Sequence, residues 1–235
     1  MNLVTIIHIM VDKLVAFSNK TEGRDKFCKV LQYGSRMLKA LSSDPKLIEK
    51  LNGVFMASRD ARKMFRLWKF VHEYQTIMKA VSDIGIDLPE MILQVLTRST
   101  FFVYWIFDNL QFLSSIKFLK FDPVALGKKS NTAWFIGVAL SLISLVRNLS
   151  LNYTKEAKIK HSADPSLQTT KQSLDLLQKK RKELLINLVK NLGDLIPSAA
   201  FAEVPNKLLN KKIPEAWIGF GGLLAGLIAF YQAWP

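Results

Sequence analysis

The sequence predicts an all-α membrane protein: N-terminal amphipathic helices followed by a membrane-embedded helical hairpin with one or two transmembrane helices. Three observations predict it. Apolar residues recur at three- and four-residue steps along most of the chain, and no segment alternates with the period of two that a strand requires. Residues 216–234, AWIGFGGLLAGLIAFYQAW, carry no charge, and Trp217, Tyr231 and Trp234 sit at the ends, where aromatic belts meet the membrane interface. Finally, 49% hydrophobic residues coexist with 33 Lys and Arg against 19 Asp and Glu, a formal charge of +14 over 235 residues. That basicity asks for an anionic partner, and joined to so much apolar surface it favours a membrane of anionic lipids.

The elements follow in order. Residues 2–18 read as a short helix with Leu3, Ile6, Ile7, Met10, Leu14 and Phe17 on one side. SNKTEG is a turn, with Asn19 or Thr21 available as a cap. GRDKFCKVLQYGSRML, residues 23–38, forms a second helix. Phe27, Leu31 and Leu38 would hold a bundle, and Lys29, Arg36 and Lys39 would face headgroups or another copy. SSDP at 42–45 ends it, because the residue before a proline avoids helical geometry. A third helix spans roughly 46–81, with a possible break at Gly53.

The latter half of that helix is the most amphipathic segment. At 100° per residue, Arg59, Arg62, Arg66 and Lys69 share a narrow arc, a candidate cationic face for headgroups. Met64, Leu67, Trp68, Val71, Tyr74 and Met78 share the opposed arc, a candidate membrane-inserting face. The competing reading is a bundle helix with a solvated basic side. DIGIDLP ends the segment, and residues 90–121 are aromatic-rich but interrupted by Arg98, Asp108 and Lys117.

Residues 131–149 are a weak candidate span, reaching the roughly 20 residues a bilayer needs only if Arg147 extends to the interface. Residues 216–234 are the stronger one. Between them lie a polar linker, NYTKEAKIKHSADPSLQTT, and a basic helix around 171–195. The expected division is thus 1–125 as a cytosolic amphipathic region, 131–149 and 216–234 as spans, and 150–213 as basic linker and helix. Gly222 and Gly226 form G-x-x-x-G, which lets helices approach closely, either between two copies or within one chain. Neither span shows a clear polar stripe.

Enzyme signals are missing. His8, His72 and His161 are scattered, and His72-Glu73 lacks the second histidine of a zinc motif because position 76 is Thr. No phosphate-cradling glycine loop, cofactor site, metal site or small-molecule substrate is identified. One cysteine, Cys28, excludes an intramolecular disulfide. The N-terminus has no basic region before its apolar stretch, so no secretory signal peptide is expected.

Residues 23–38 resemble the peroxin-11 family through Gly23, Arg24, Asp25, Lys26, Lys29, Gln32, Tyr33, Arg36 and Leu38. ARKMFRLWKF, residues 61–70, stands where that family has its amphipathic helix, and the apolar C-terminus fits as well. The resemblance implies an integral peroxisomal membrane protein with two spans that self-associates. It implies membrane tubulation by the amphipathic helix, recruitment of the dynamin-related fission machinery and its membrane adaptor, and thereby peroxisome proliferation and fission. It also implies an alternative, a peroxisomal membrane pore for metabolites. A nucleic-acid binder is disfavoured, because the basic residues are spread along the whole chain and residues 216–234 have no place in one.

Overall fold

The computed structural model describes residues 2–83, 85, 87–162 and 167–235, and among them the chain is helix joined by short connections. Helix α1 (Leu3–Ser18) begins at Asn2, whose side chain accepts from the Thr5 amide at 2.9 Å. Helix α2 (Thr21–Leu41) follows after two residues, and neither Asn19 nor Thr21 caps it: Lys20 stands at the cap without a side-chain bond. Asp44 caps α3 (Pro45–Phe65), accepting from the Lys46 amide at 3.0 Å, with Pro45 in the first turn where its missing N–H is harmless.

The expected third helix is broken, but not at Gly53, which lies inside α3. The break comes at 66–68, before α4 (Lys69–Ser82), where Trp68 adopts a left-handed backbone with φ 66°. A side chain from a distant helix holds it there. Asn109 accepts from the Trp68 amide at 3.1 Å and donates to the Arg66 carbonyl at 3.3 Å, pairing backbone groups that the break releases.

Helix α5 (Leu88–Ser115) carries the aromatic-rich segment. Helix α6 (Pro123–Ser162) is much longer than the expected span, because residues 150–162, read as the start of a linker, continue it. Residues 163–166 of that linker, and 84 and 86 of DIGIDLP, lie outside the described residues. Helix α7 (Gln168–Phe201) runs through Pro197, and after a short α8 (Val204–Leu209) the chain ends in α9 (Glu215–Ala233). Helices α6 and α9 are long and apolar enough to cross a membrane.

The helices close into a ring. Helix α3 packs on α2, α2 on α9, α9 on α7, α7 on α6, α6 on α5 and α5 on α4, and the break at Trp68 joins α4 back to α3. Glycines let α9 sit deep between its neighbours. Gly222 faces the Tyr33 ring of α2, while Gly193 of α7 meets Gly221 so closely that a side-chain carbon on either would strike the other's carbonyl oxygen. The freed carbonyl opposite Pro197 is that of Gly193, so the proline and the close crossing fall at one place. Helix α1 stays outside the ring, anchored by Phe17 against Phe230 and Trp234 at 4.6 and 5.3 Å between ring centroids.

Candidate functional site

The ring is polar inside and apolar outside. Helices α2 to α7 each lend residues at helical spacing to its interior, and α9 closes the ring without lending any. On α5 the stripe is Glu90, Gln94, Thr97, Tyr104, Asp108 and Gln111. On α6 it is Asn131, Trp134, Val138, Ser141, Ser144, Leu145 and Asn148, a mixed stripe in which polar residues stand among apolar ones. The stripes line a partly open cavity of about 850 Å³. Outside lie Phe27, Leu31, Val71, Tyr74, Ile92, Ile136, Leu185 and Phe220, all exposed. An apolar exterior of this extent is what lipid, not water, accommodates.

Charge pairs tie neighbouring helices together across the interior. Asp25 of α2 is 2% exposed and accepts from Arg62 Nε of α3 at 3.1 Å, with Arg66 Nε 3.8 Å away. Arg62 also donates to Gln32 Oε1 at 2.6 Å. Lys63 and Arg66 both reach Asp108 of α5, and Arg66 Nη1 donates to the Tyr104 hydroxyl at 3.4 Å. Lys29 bridges α2 to Asp194 of α7 at 2.7 Å, and Arg36 bridges α2 to Glu215 at the start of α9 at 2.7 Å. Glu90 collects Gln94, Ser144, Arg147 and Asn148, joining α5 to α6. These pairs make the interior self-consistent, because a buried charge without a partner would be far more costly.

Electrostatics follow from the crowding. Burial alone would raise the Asp25 carboxyl, but Arg62, Lys26 and Arg66 outweigh it and hold the group well below the ordinary aspartate range. Burial pushes the Lys29 ammonium down to about 8, with Asp194 opposing the shift. The Tyr104 hydroxyl is pushed up by burial and by Asp108 beside it.

The signature set on α2 points mainly inward. Asp25, Lys29, Gln32 and Tyr33 are buried, Lys26 and Arg36 half-buried, and Arg24 and Leu38 exposed, with Arg24 Nε donating to the Ser18 carbonyl at 2.5 Å. The expected orientation of this helix is therefore reversed: Phe27, Leu31 and Leu38 are exposed, and Lys29 and Arg36 face the cavity. The same holds beyond it. Arg62 and Arg66 are buried in the ion pairs above, Arg59 and Lys69 are half-buried on either side of the break, and the four do not form one outward face. Met64, Trp68, Val71, Tyr74 and Met78 do lie exposed on the outer surface, with Leu67 half-buried. Arg147 does not extend freely to an interface: it pairs with Asp87 and, at 3.1 Å, with Glu90. Gly222 and Gly226 both face α2 of the same chain.

Sequence reasoning missed Glu90, Tyr104, Asp108, Lys190 and Asp194 as interior residues. The signal was present as polar residues at three- and four-residue steps inside apolar segments, a stripe that periodicity detects when polar residues rather than apolar ones are followed.

The family profile Peroxisomal biogenesis factor 11 matches residues 11–234. The chain is similar to Peroxisomal membrane protein 11 homolog of Dictyostelium discoideum, 27% identical with 96% of this chain and 94% of that protein covered. It is similar to Peroxisomal membrane protein 11E of Arabidopsis thaliana, 28% identical with coverage of 94% and 91%. Peroxisomal membrane protein 11-4 of Oryza sativa subsp. indica is 27% identical, with coverage of 96% and 97%. No solved structure matches. With a family match along nearly its whole length and two helices able to cross a bilayer, the chain belongs to the Peroxisomal biogenesis factor 11 family, integral proteins of the peroxisomal membrane with a role in peroxisome biogenesis and proliferation, a biogenesis-factor family rather than a known enzyme family.

Proposed function

We propose that the chain serves biogenesis by elongating and dividing the membrane that holds it, with the outward face of α3 and α4 as the inserting surface. The observation that carries this reading is the exposure of large apolar side chains along that face: Trp68 is 70%, Met64 55% and Tyr74 54% exposed. Such area inserted into one leaflet expands it and favours positive curvature. Self-association and recruitment of the dynamin-related fission machinery and its membrane adaptor complete the proposed route from curvature to fission.

Live-cell imaging tests it. Raised expression of the unaltered chain is expected to elongate or multiply peroxisomes. A variant with Trp68→Glu, Val71→Glu and Tyr74→Glu, present at the same level in the same membrane, is expected to leave them normal. Equal proliferation by both removes the α3–α4 face from the mechanism.

A second reading, a pore for metabolites, is supported by the interior. A polar cavity inside an apolar ring is the arrangement a solute path through lipid requires. Solute efflux from vesicles carrying the purified chain tests it, and vesicles no leakier than protein-free ones would end it.

A further inference from the structure

The interior is not neutral. Among the described residues, ten basic and five acidic side chains line the cavity. Most of the acids are spent on the buried pairs described above: Asp25 on Arg62 and Arg66, Asp108 on Lys63, Asp194 on Lys29 and Glu90 on Arg147. A second group of cations is left poorly matched. Lys26 of α2 divides between Glu22 at 2.5 Å and Asp25, already shared with Arg62, at 3.1 Å, and Lys69 of α4 takes the other oxygen of Glu22 at 2.9 Å. Arg98 of α5 reaches Glu73 only at 3.4 Å. Lys190 of α7 donates to two neutral amide oxygens, Asn187 Oδ1 at 3.1 Å and Gln232 Oε1 at 3.3 Å.

Four helices thus turn cations toward one space. They act on each other there: burial lowers the Lys190 ammonium first, Asp194 opposes that shift, and Lys26 and Arg98 add to it. The Lys69 ammonium is likewise lowered by burial and then by Lys26. Two further donors wait in the same wall. The buried Thr97 Oγ1 and Trp105 Nε1 belong to cavity-lining residues and find no hydrogen-bond partner among the described residues. A buried donor without an acceptor is destabilising, and so is crowding of like charge. One kind of guest relieves both at once, a molecule rich in negatively charged acceptors.

We propose that the cavity is a binding site for a small multivalent anion bearing phosphate or carboxylate groups, held by Lys26, Lys69, Arg98 and Lys190. Its volume is in the range of small-molecule sites, roughly 300–1,000 Å³. The phosphate chemistry comes from one of two sources, a soluble metabolite or the headgroup of an anionic lipid entering between helices. The proposal deepens the pore reading by naming the solute class the cavity favours, and binding is measurable without any flux.

The test uses the full chain in phosphatidylcholine nanodiscs, with inorganic pyrophosphate as probe at constant ionic strength. Titration calorimetry is expected to show saturable binding, and the thermal midpoint is expected to rise with pyrophosphate. Lys190→Gln and Arg98→Gln are each expected to weaken binding about tenfold or more, the loss of one charge-assisted bond. Lys190→Arg is expected to retain it. Arg98 lies outside the buried pairs, so its variant keeps the fold and answers the question even if Lys190→Gln unfolds. No saturable binding by the folded unaltered chain overturns the proposal, and so does equal affinity in both glutamine variants.

Discs containing phosphatidic acid distinguish the sources. Weakened pyrophosphate binding there assigns the site to a lipid headgroup, and undiminished binding assigns it to a soluble anion. Vesicle efflux separates this proposal from the pore reading. Binding without efflux removes the pore and keeps the site; efflux of a neutral sugar without pyrophosphate binding removes the site and keeps the pore.

Discussion

Asp25 shows how much rests on single side chains. It lies between Arg62 and Arg66 with almost no exposure, so replacing its carboxylate leaves two buried guanidinium groups short of a counter-charge. Asp25→Asn is expected to lower stability by about 3–5 kcal/mol, read as a fall in the thermal unfolding midpoint of the purified chain. Lys29 gives a pH signature of the opposite kind. Its folded value is depressed to about 8 from an ordinary 10.5, so between those limits the unfolded chain holds a proton that the folded chain does not. Stability contributed by this group therefore rises as pH climbs from about 8 to 10.5. The expected outcome is a flatter midpoint-against-pH curve over that window in Lys29→Met, whatever its absolute stability. The sequence made Asp25, Lys29 and Arg36 legible as one side of a helix. Periodicity gives the two sides of a helix but not which one meets solvent, and here the surroundings invert the usual assignment.

Among elements, the junction of α3 and α4 teaches most. Local propensity pointed to Gly53, since glycine weakens a helix interior by about 1 kcal/mol relative to alanine. A side-chain carbon at Gly53 would meet open space, and the helix continues through it. The chain breaks at Trp68 because Asn109, 41 residues away, satisfies both sides of the break. Such a tertiary cap leaves no trace within the segment it caps. Asn109→Ala is expected to remove about 1–3 kcal/mol of stability and to raise hydrogen exchange at the Trp68 amide above that of amides in mid-α3. Helix existence was otherwise well foreshadowed, because long periodic segments and the Asp44-Pro45 start are local signals. The extension of α6 past Arg147 was not, since Arg181 of α7 stabilises it through Asn152 and Glu156.

The whole molecule inverts the arrangement of a water-soluble bundle. The all-α class and the C-terminal span were readable from composition and length, whereas ring closure was not, because it depends on contacts between chain ends. Gly222 sits at the closing contact, where α9 meets the Tyr33 ring. Gly222→Leu is expected to force α2 and α9 apart, lowering the midpoint by the equivalent of about 1–3 kcal/mol or more and speeding limited proteolysis within both helices.

That same α2–α9 seam also governs the order of events during synthesis. Helix α2 finds its long-range neighbour only in α9, so until α9 has been made the ring is an open arc with its charged stripes unshielded. Such an arc is poorly suited to entering lipid one helix at a time.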